Sequence, residues 1–179
     1  MASFTGTFTK TAALGSITWT AKIDYTVTPS ADLSSFSVKS TLSVKRSDST
    51  TAWNEVGTSY ATYTINGVAS SKIYKDWQVS GGSYTTVSTY TTTVNANDID
   101  YSTGIPVSVY WYTGVKSADY TPESMTITGN IAVPDEYSGL VYIGNGTSWD
   151  KYEVYVGDGT KWIKCIPYIG DGTNWVLCS

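Results

Sequence analysis

Six aromatic residues near the C-terminus are the best candidates for chemistry, because they recur at a fixed spacing. Tyr142 and Trp149, Tyr155 and Trp162, and Tyr168 and Trp175 fill equivalent slots in three consecutive 13-residue units. The units open Val141-Tyr-Ile-Gly-Asn-Gly-Thr-Ser-Trp149, Val154-Tyr-Val-Gly-Asp-Gly-Thr-Lys-Trp162 and Pro167-Tyr-Ile-Gly-Asp-Gly-Thr-Asn-Trp175. The chemistry such residues offer is contact. Their rings stack on one another, on another chain, or on the apolar face of a sugar, and move no proton.

The groups that catalysis needs are scarce. Histidine is absent, so neither a Ser/His/Asp nor a Cys/His nucleophile can be assembled. Asp98 and Asp100 lie two apart, but Asn95-Ala-Asn-Asp-Ile-Asp-Tyr-Ser-Thr-Gly104 reads as a polar turn rich in Asx caps, not a glycosidase pair or calcium loop. Asp135-Glu136 reads as solvated charge. Gly144, Gly157 and Gly170 lack the Lys-Ser/Thr and following helix of a phosphate loop. Asn145-Gly-Thr is formally a glycosylation sequon, although a turn already accounts for it. Cys165 and Cys178 share one slot of the repeat, filled by Tyr152 in the first copy. A disulfide between them is open, with buried free thiols the preferred reading. Two cysteines without histidine make a poor zinc site. We therefore expect no catalytic residue, no metal, no cofactor and no enzymatic activity.

The repeats need elements to present them. Asn145-Gly146, Asp158-Gly159 and Asp171-Gly172 sit between β-type residues, and each dipeptide suits a two-residue type I′ turn. That turn makes facing residues sum to 291, 317 or 343 in the three copies, which sets Tyr142 opposite Trp149, Tyr155 opposite Trp162 and Tyr168 opposite Trp175. Such aromatic pairs contribute about 0.2–1 kcal/mol each. Ile143, Val156 and Ile169, with Tyr152, Cys165 and Cys178, point to the other face. A strand apolar on both sides requires cover on both sides, so the repeats are expected to lean on the preceding domain, on further copies of the chain, or on a ligand. A homo-oligomer, preferably a trimer, is the expectation.

Composition bounds the rest. The 179 residues allow one domain and a small appendage. Charged residues are only 15% and the net charge is −4, which leaves no basic stripe for nucleic acid. Lys45-Arg46 reads as a solvated strand end. No apolar run is long enough to span a membrane. Met1-Ala-Ser-Phe-Thr-Gly-Thr-Phe8 lacks the charged and apolar regions of a secretory signal. This suits a particle assembled inside a cell and released by lysis, unless a signal has been removed.

Residues 1–134 read as strands parted by turns. Ile17, Trp19, Ala21, Ile23, Tyr25 and Val27 alternate with polar residues until Pro29, and Phe36, Val38, Leu42 and Val44 repeat the pattern. Tyr63 and Ile65 precede an Asn66-Gly67 turn. A strand is expected over Ile73 to Val79, then a Gly81-Gly82 turn into Tyr84–Val94. Val107, Val109 and Trp111 form another set, and Met125, Ile127, Ile131 and Val133 the last. The spacing predicts an all-β chain: an N-terminal immunoglobulin-like β-sandwich over 1–134, a linker over 135–140, and three tandem β-hairpin repeats over 141–179. A closed barrel is the alternative. Trp19, Trp77 and Trp111 are expected in the core, with Trp53 in a loop-like stretch.

Two features together resemble bacteriophage virion proteins, especially tail or fibre proteins of phages infecting Gram-positive bacteria. The units Tyr-Ile-Gly-Asn-Gly-Thr-Ser-Trp149 and Tyr-Ile-Gly-Asp-Gly-Thr-Asn-Trp175 look like short C-terminal repeats on such proteins. Thr91-Thr-Thr-Val94-Asn-Ala-Asn-Asp98, after Asp76-Trp77-Gln-Val79, is similar to an immunoglobulin-like domain of siphophage minor structural proteins. That pattern often carries a His and an Asp-Gly pair around Asn95–Ile99, and this chain has neither. The resemblance implies a component exposed on the virion, on head or tail, with other virion proteins and a host cell-surface glycan as partners. Choline-binding repeats are also aromatic hairpin arrays, but their longer units fit poorly. They show only that Tyr/Trp hairpins can bind ligands. A carbohydrate-binding module using the six repeat aromatics is thus the alternative to a structural or decorating role.

Overall fold

The computed structural model describes residues 2–14, 17–31, 33–48, 50–114, 123–134, 140–144, 146–157, 159–165, 168–170 and 175–177; side chains are described throughout except at 140–144, 149–151, 153, 163–165, 168–170 and 175–177. Strands β1 (Phe4–Leu14), β2 (Ile17–Pro29) and β3 (Ser35–Arg46) run as an antiparallel meander. The short β4 (Thr51–Trp53), β5 (Tyr60–Ile65), β6 (Val68–Ala69), β7 (Ile73–Tyr74) and β8 (Gln78–Ser80) follow. Long strands return with β9 (Thr85–Asn95), β10 (Ile105–Tyr112) and β11 (Ser124–Ile131).

These strands form an all-β sandwich of two antiparallel sheets, ordered β1-β2-β3-β9 and β11-β10-β5-β6, with β7 also on β5. The chain passes from β3 in one sheet to β5 in the other, back to β9, and across again to the β10–β11 hairpin. This is the B–C–E–F–G path of an immunoglobulin-like Greek key. Two departures stand out. Among the described residues no strand pairs beyond β9 where a D strand would, and with β2 in the place of an A strand, β1 widens the same sheet at its opposite edge. The β4–β8 ribbon joins the two crossovers between sheets.

Period two explains the core. In β2, Ile17, Trp19, Ala21, Ile23 and Val27 are buried while the intervening Thr, Lys and Asp residues are not. β3, β5, β10 and β11 obey the same rule, which buries Phe36, Tyr63, Trp111 and Ile127 among others. Trp19, Trp77 and Trp111 meet edge to face, with ring centroids 5.6, 5.6 and 5.7 Å apart. They are core residues, as expected. Ser59 is buried with them and accepts from Trp77 Nε1 at 2.9 Å and Trp111 Nε1 at 3.3 Å. These contacts satisfy both indole donors without water.

Several local expectations need correction. The single strand expected over Ile73 to Val79 is broken at Lys75–Trp77. There Asp76 accepts from Asn54 Nδ2 and Gly57 N, each at 2.8 Å, and Trp77 N donates to Asn54 Oδ1 at 2.7 Å. Side-chain acceptors thus replace ladder partners. Arg46 is no solvated strand end. It is only 3% exposed, paired with Asp48 at 2.6 Å and laid over the Trp19 ring at 5.5 Å, because a delocalised guanidinium tolerates an aromatic surface. Trp53 projects into solvent from β4. β1 has no counterpart in the sequence reading, because its inward positions include Gly6 and Lys10 and its apolar rhythm is weak.

Residues 140 onward form strands β12 (Leu140–Gly144), β13 (Trp149–Gly157), β14 (Trp162–Cys165), β15 (Tyr168–Gly170) and β16 (Trp175–Leu177). β12, β13 and β14 make one sheet and β15 and β16 another. Among the described residues, all strand pairing in this tail is within the tail. The linker positions 135–139, together with Asn145, Asp158, Asp171 and Cys178, lie outside the described residues.

Candidate binding surfaces

The tail hairpins carry the six aromatic positions, and their register differs from the expected one. Gly144 lies opposite Trp149, Gly157 opposite Trp162 and Gly170 opposite Trp175. Facing residues sum to 293, 319 and 345, so each loop has four residues instead of two. Tyr142 faces Lys151, Tyr155 faces Lys164 and Tyr168 faces Leu177. No Tyr directly opposes a Trp.

The cause is visible at the second repeat. The Trp162 ring lies over Gly157, near enough that a Cβ there would sit 3.5 Å from it. An aromatic folded onto an opposing glycine covers backbone that the glycine leaves bare. A two-residue turn would instead pair Gly157 with Thr160, two residues with little surface to share. The body supplies the contrast. At Asn66-Gly67, with φ of 49° and 79°, the flanking Ile65 and Val68 pair directly and the two-residue turn forms as expected. The same dipeptide closes different loops according to what flanks it.

A slip of two residues keeps every side chain on its original face. Tyr155 and Trp162 therefore still share one face, as diagonal neighbours, while Tyr152 and Val156 occupy the other. All four are exposed, Trp162 at 75% and Val156 at 56%. This part of the tail thus presents exposed or half-exposed aromatic and apolar side chains on both faces. The side chains of Tyr142, Trp149, Tyr168 and Trp175, and those of both cysteines, are outside the described set.

The polar turn expected at Asp98 and Asp100 is present as a 3₁₀ turn over Ala96–Asp98 followed by a tight loop. Asp100 Oδ1 accepts from Ser102 Oγ at 2.6 Å and Ser102 N at 2.9 Å, and these bonds hold its carboxyl below the usual carboxylate range. That is an Asx turn. Among the described residues no three His, Cys, Asp or Glu side chains gather as metal ligands, and no helix is long and apolar enough to cross a membrane.

A second aromatic surface went unnoticed in the sequence. Tyr60, Tyr74, Tyr110 and Tyr112 cluster on the outer face of the five-stranded sheet. Tyr60 is centred 5.5 Å from Tyr74, 6.0 Å from Tyr110 and 5.4 Å from Tyr112, with Lys72 Nζ 4.2 Å from its ring centre. Alternation could have found it. If Val107, Val109 and Trp111 point inward, Ser108, Tyr110 and Tyr112 must point outward.

No protein-family model matches this chain, and no curated protein does either. Among solved structures, a crystal structure of a protein from Archaeoglobus fulgidus aligns over 70% of this chain and 98% of its own, at 14% identity and a TM-score of 0.33. Nothing below rests on that match.

Proposed function

We propose that the protein is a non-enzymatic structural component of a bacteriophage particle, of the decorating or fibre kind, exposed on the virion. Its repeats would be an association surface through which copies of the chain bind one another, preferably as a trimer, and meet neighbouring virion proteins. The virion assignment rests on the repeat and sandwich resemblances. The association role rests on one observation: Val156 on one face and Trp162 on the other are mostly exposed in a single chain, at 56% and 75%, with Tyr152 half-exposed beside Val156. Exposed apolar clusters of this kind mark association or ligand surfaces. The test is multi-angle light scattering at micromolar concentration. The full chain is expected to run as an oligomer that Trp162→Ala weakens, and a monomer would overturn the association role.

A second function has its own support. Trp162 is backed on one side by Gly157 and open on the other, as a platform for a sugar ring must be. In that reading the repeats attach the particle to a host-surface glycan. Glycan binding abolished by Trp162→Ala, with the oligomer intact, would favour attachment over assembly.

A further inference from the structure

We propose that the outer face of the five-stranded sheet is a binding site for a neutral oligosaccharide, independent of the tail repeats. A depression of about 590 Å³ lies there, within the size range of small-ligand sites. Thr64, Ser108 and Thr128 stand side by side across β5, β10 and β11 as a row of hydroxyls in a lining that is otherwise mostly apolar, with Gly67, Pro106, Val107 and Gly129. Pro106 and Asn130 form the next row on one side. On the other side the rows are Thr62, Tyr110 and Thr126, then Tyr60, Tyr112 and Ser124. No tyrosine lines the depression itself; the cluster begins with Tyr110 in the adjoining row, and rows are spaced about 7 Å apart along the strands.

Three features select the ligand. No Asp, Glu, Lys or Arg lines the depression, and at the tyrosine end the Lys72 ammonium is already engaged by the Tyr60 ring, so an ionised ligand on the hydroxyl row would lose hydration without a counter-charge beside it. The hydroxyls of Thr64, Ser108 and Thr128 both donate and accept, and the Asn130 amide does the same, which matches a ligand made of alternating hydroxyls. The tyrosines supply ring faces for the C–H side of a pyranose and phenol oxygens for its rim. Tyr110, nearest the hydroxyl row, is half-buried and braced against Tyr60, so little side-chain freedom is lost when a sugar stacks on it.

The experiment is a glycan array probed with the full chain, carrying neutral oligosaccharides beside sialylated and uronic-acid glycans, with the best neutral hit titrated by calorimetry. The chain is expected to bind a neutral oligosaccharide. Tyr110→Ala should weaken the complex about tenfold or more. Ser108→Arg and Thr128→Arg, which fill the groove from solvent-facing positions, should abolish it while thermal unfolding stays as in the parent. Trp162→Ala should leave it unchanged. A chain that binds no neutral glycan, or whose binding survives a folded Thr128→Arg variant, overturns the proposal. Oligomeric state is measured separately, so failure here is distinguishable from failure of the tail's role.

Discussion

Ser59 shows how one small residue organises three large ones. Its hydroxyl accepts from two indoles and donates to Tyr112 O at 3.1 Å. Trp77 Nε1 has a second acceptor in Thr113 O at 3.2 Å. Ser59→Ala should therefore strand the Trp111 donor more than that of Trp77. The expected loss is about 1–3 kcal/mol, read from urea unfolding followed by tryptophan fluorescence. Tyr63 gives a pH signature. Burial raises its phenol from 10.0 to about 12, against the hydrogen bond with Ser88 at 2.7 Å. A raised acid contributes stability that is complete below its unfolded value and is lost as pH climbs through the folded one. Stability should fall between pH 10 and about 12, by an amount on the order of 2–3 kcal/mol from this group. Tyr63→Phe should remove that share of the slope in denaturant titrations run across the range. Neither residue could have been singled out by type, because a serine beside a strand and a tyrosine within one look the same whether buried or wet.

Turns test the argument at the level of elements. Gly67 has φ of 79° with open space around it, so the limit on substitution is conformational and not steric. Gly67→Ala should cost about 1 kcal/mol, while Gly67→Asn should cost less because Asn tolerates the left-handed region. Chemical denaturation of both variants would show the order, and equal costs would contradict the turn assignment. Strand periodicity made β2, β3, β5, β10 and β11 legible, because each buries alternate apolar residues. It failed for β1, whose Gly6 is covered by the Tyr25 ring and whose Phe8 packs on Gly129. Those positions are filled by partners that lie far away in the chain. It failed again at the tail loops. Asn-Gly and Asp-Gly were sound turn signals, but the loop length depended on a Trp settling over a glycine.

At the scale of the molecule, the hydrophobic core runs from Leu14 to Val133 and draws nothing from the described tail side chains. A chain cut after Pro134 should therefore unfold cooperatively with a melting temperature within a few degrees of the full protein, as differential scanning calorimetry would show. A loss of cooperativity would mean that the tail completes the core. The same cut should abolish oligomerisation if the repeats are the association surface, while leaving the proposed groove on β5, β10 and β11 able to bind. The two surfaces are thus separable in one experiment.

The amino-acid sequence alone determined that the chain is all-β, where most long strands lie, that three tryptophans are core, and that the last three units are hairpins. These properties follow from local alternation and turn chemistry, which act over a few residues. Only the tertiary structure decided which sheet each strand joined, that Arg46 lies on Trp19, that the tail hairpins shift by two residues, and that four tyrosines converge beside a row of hydroxyls. Each of these depends on side chains that meet across strands, and cross-strand neighbours are set by packing between segments remote in sequence.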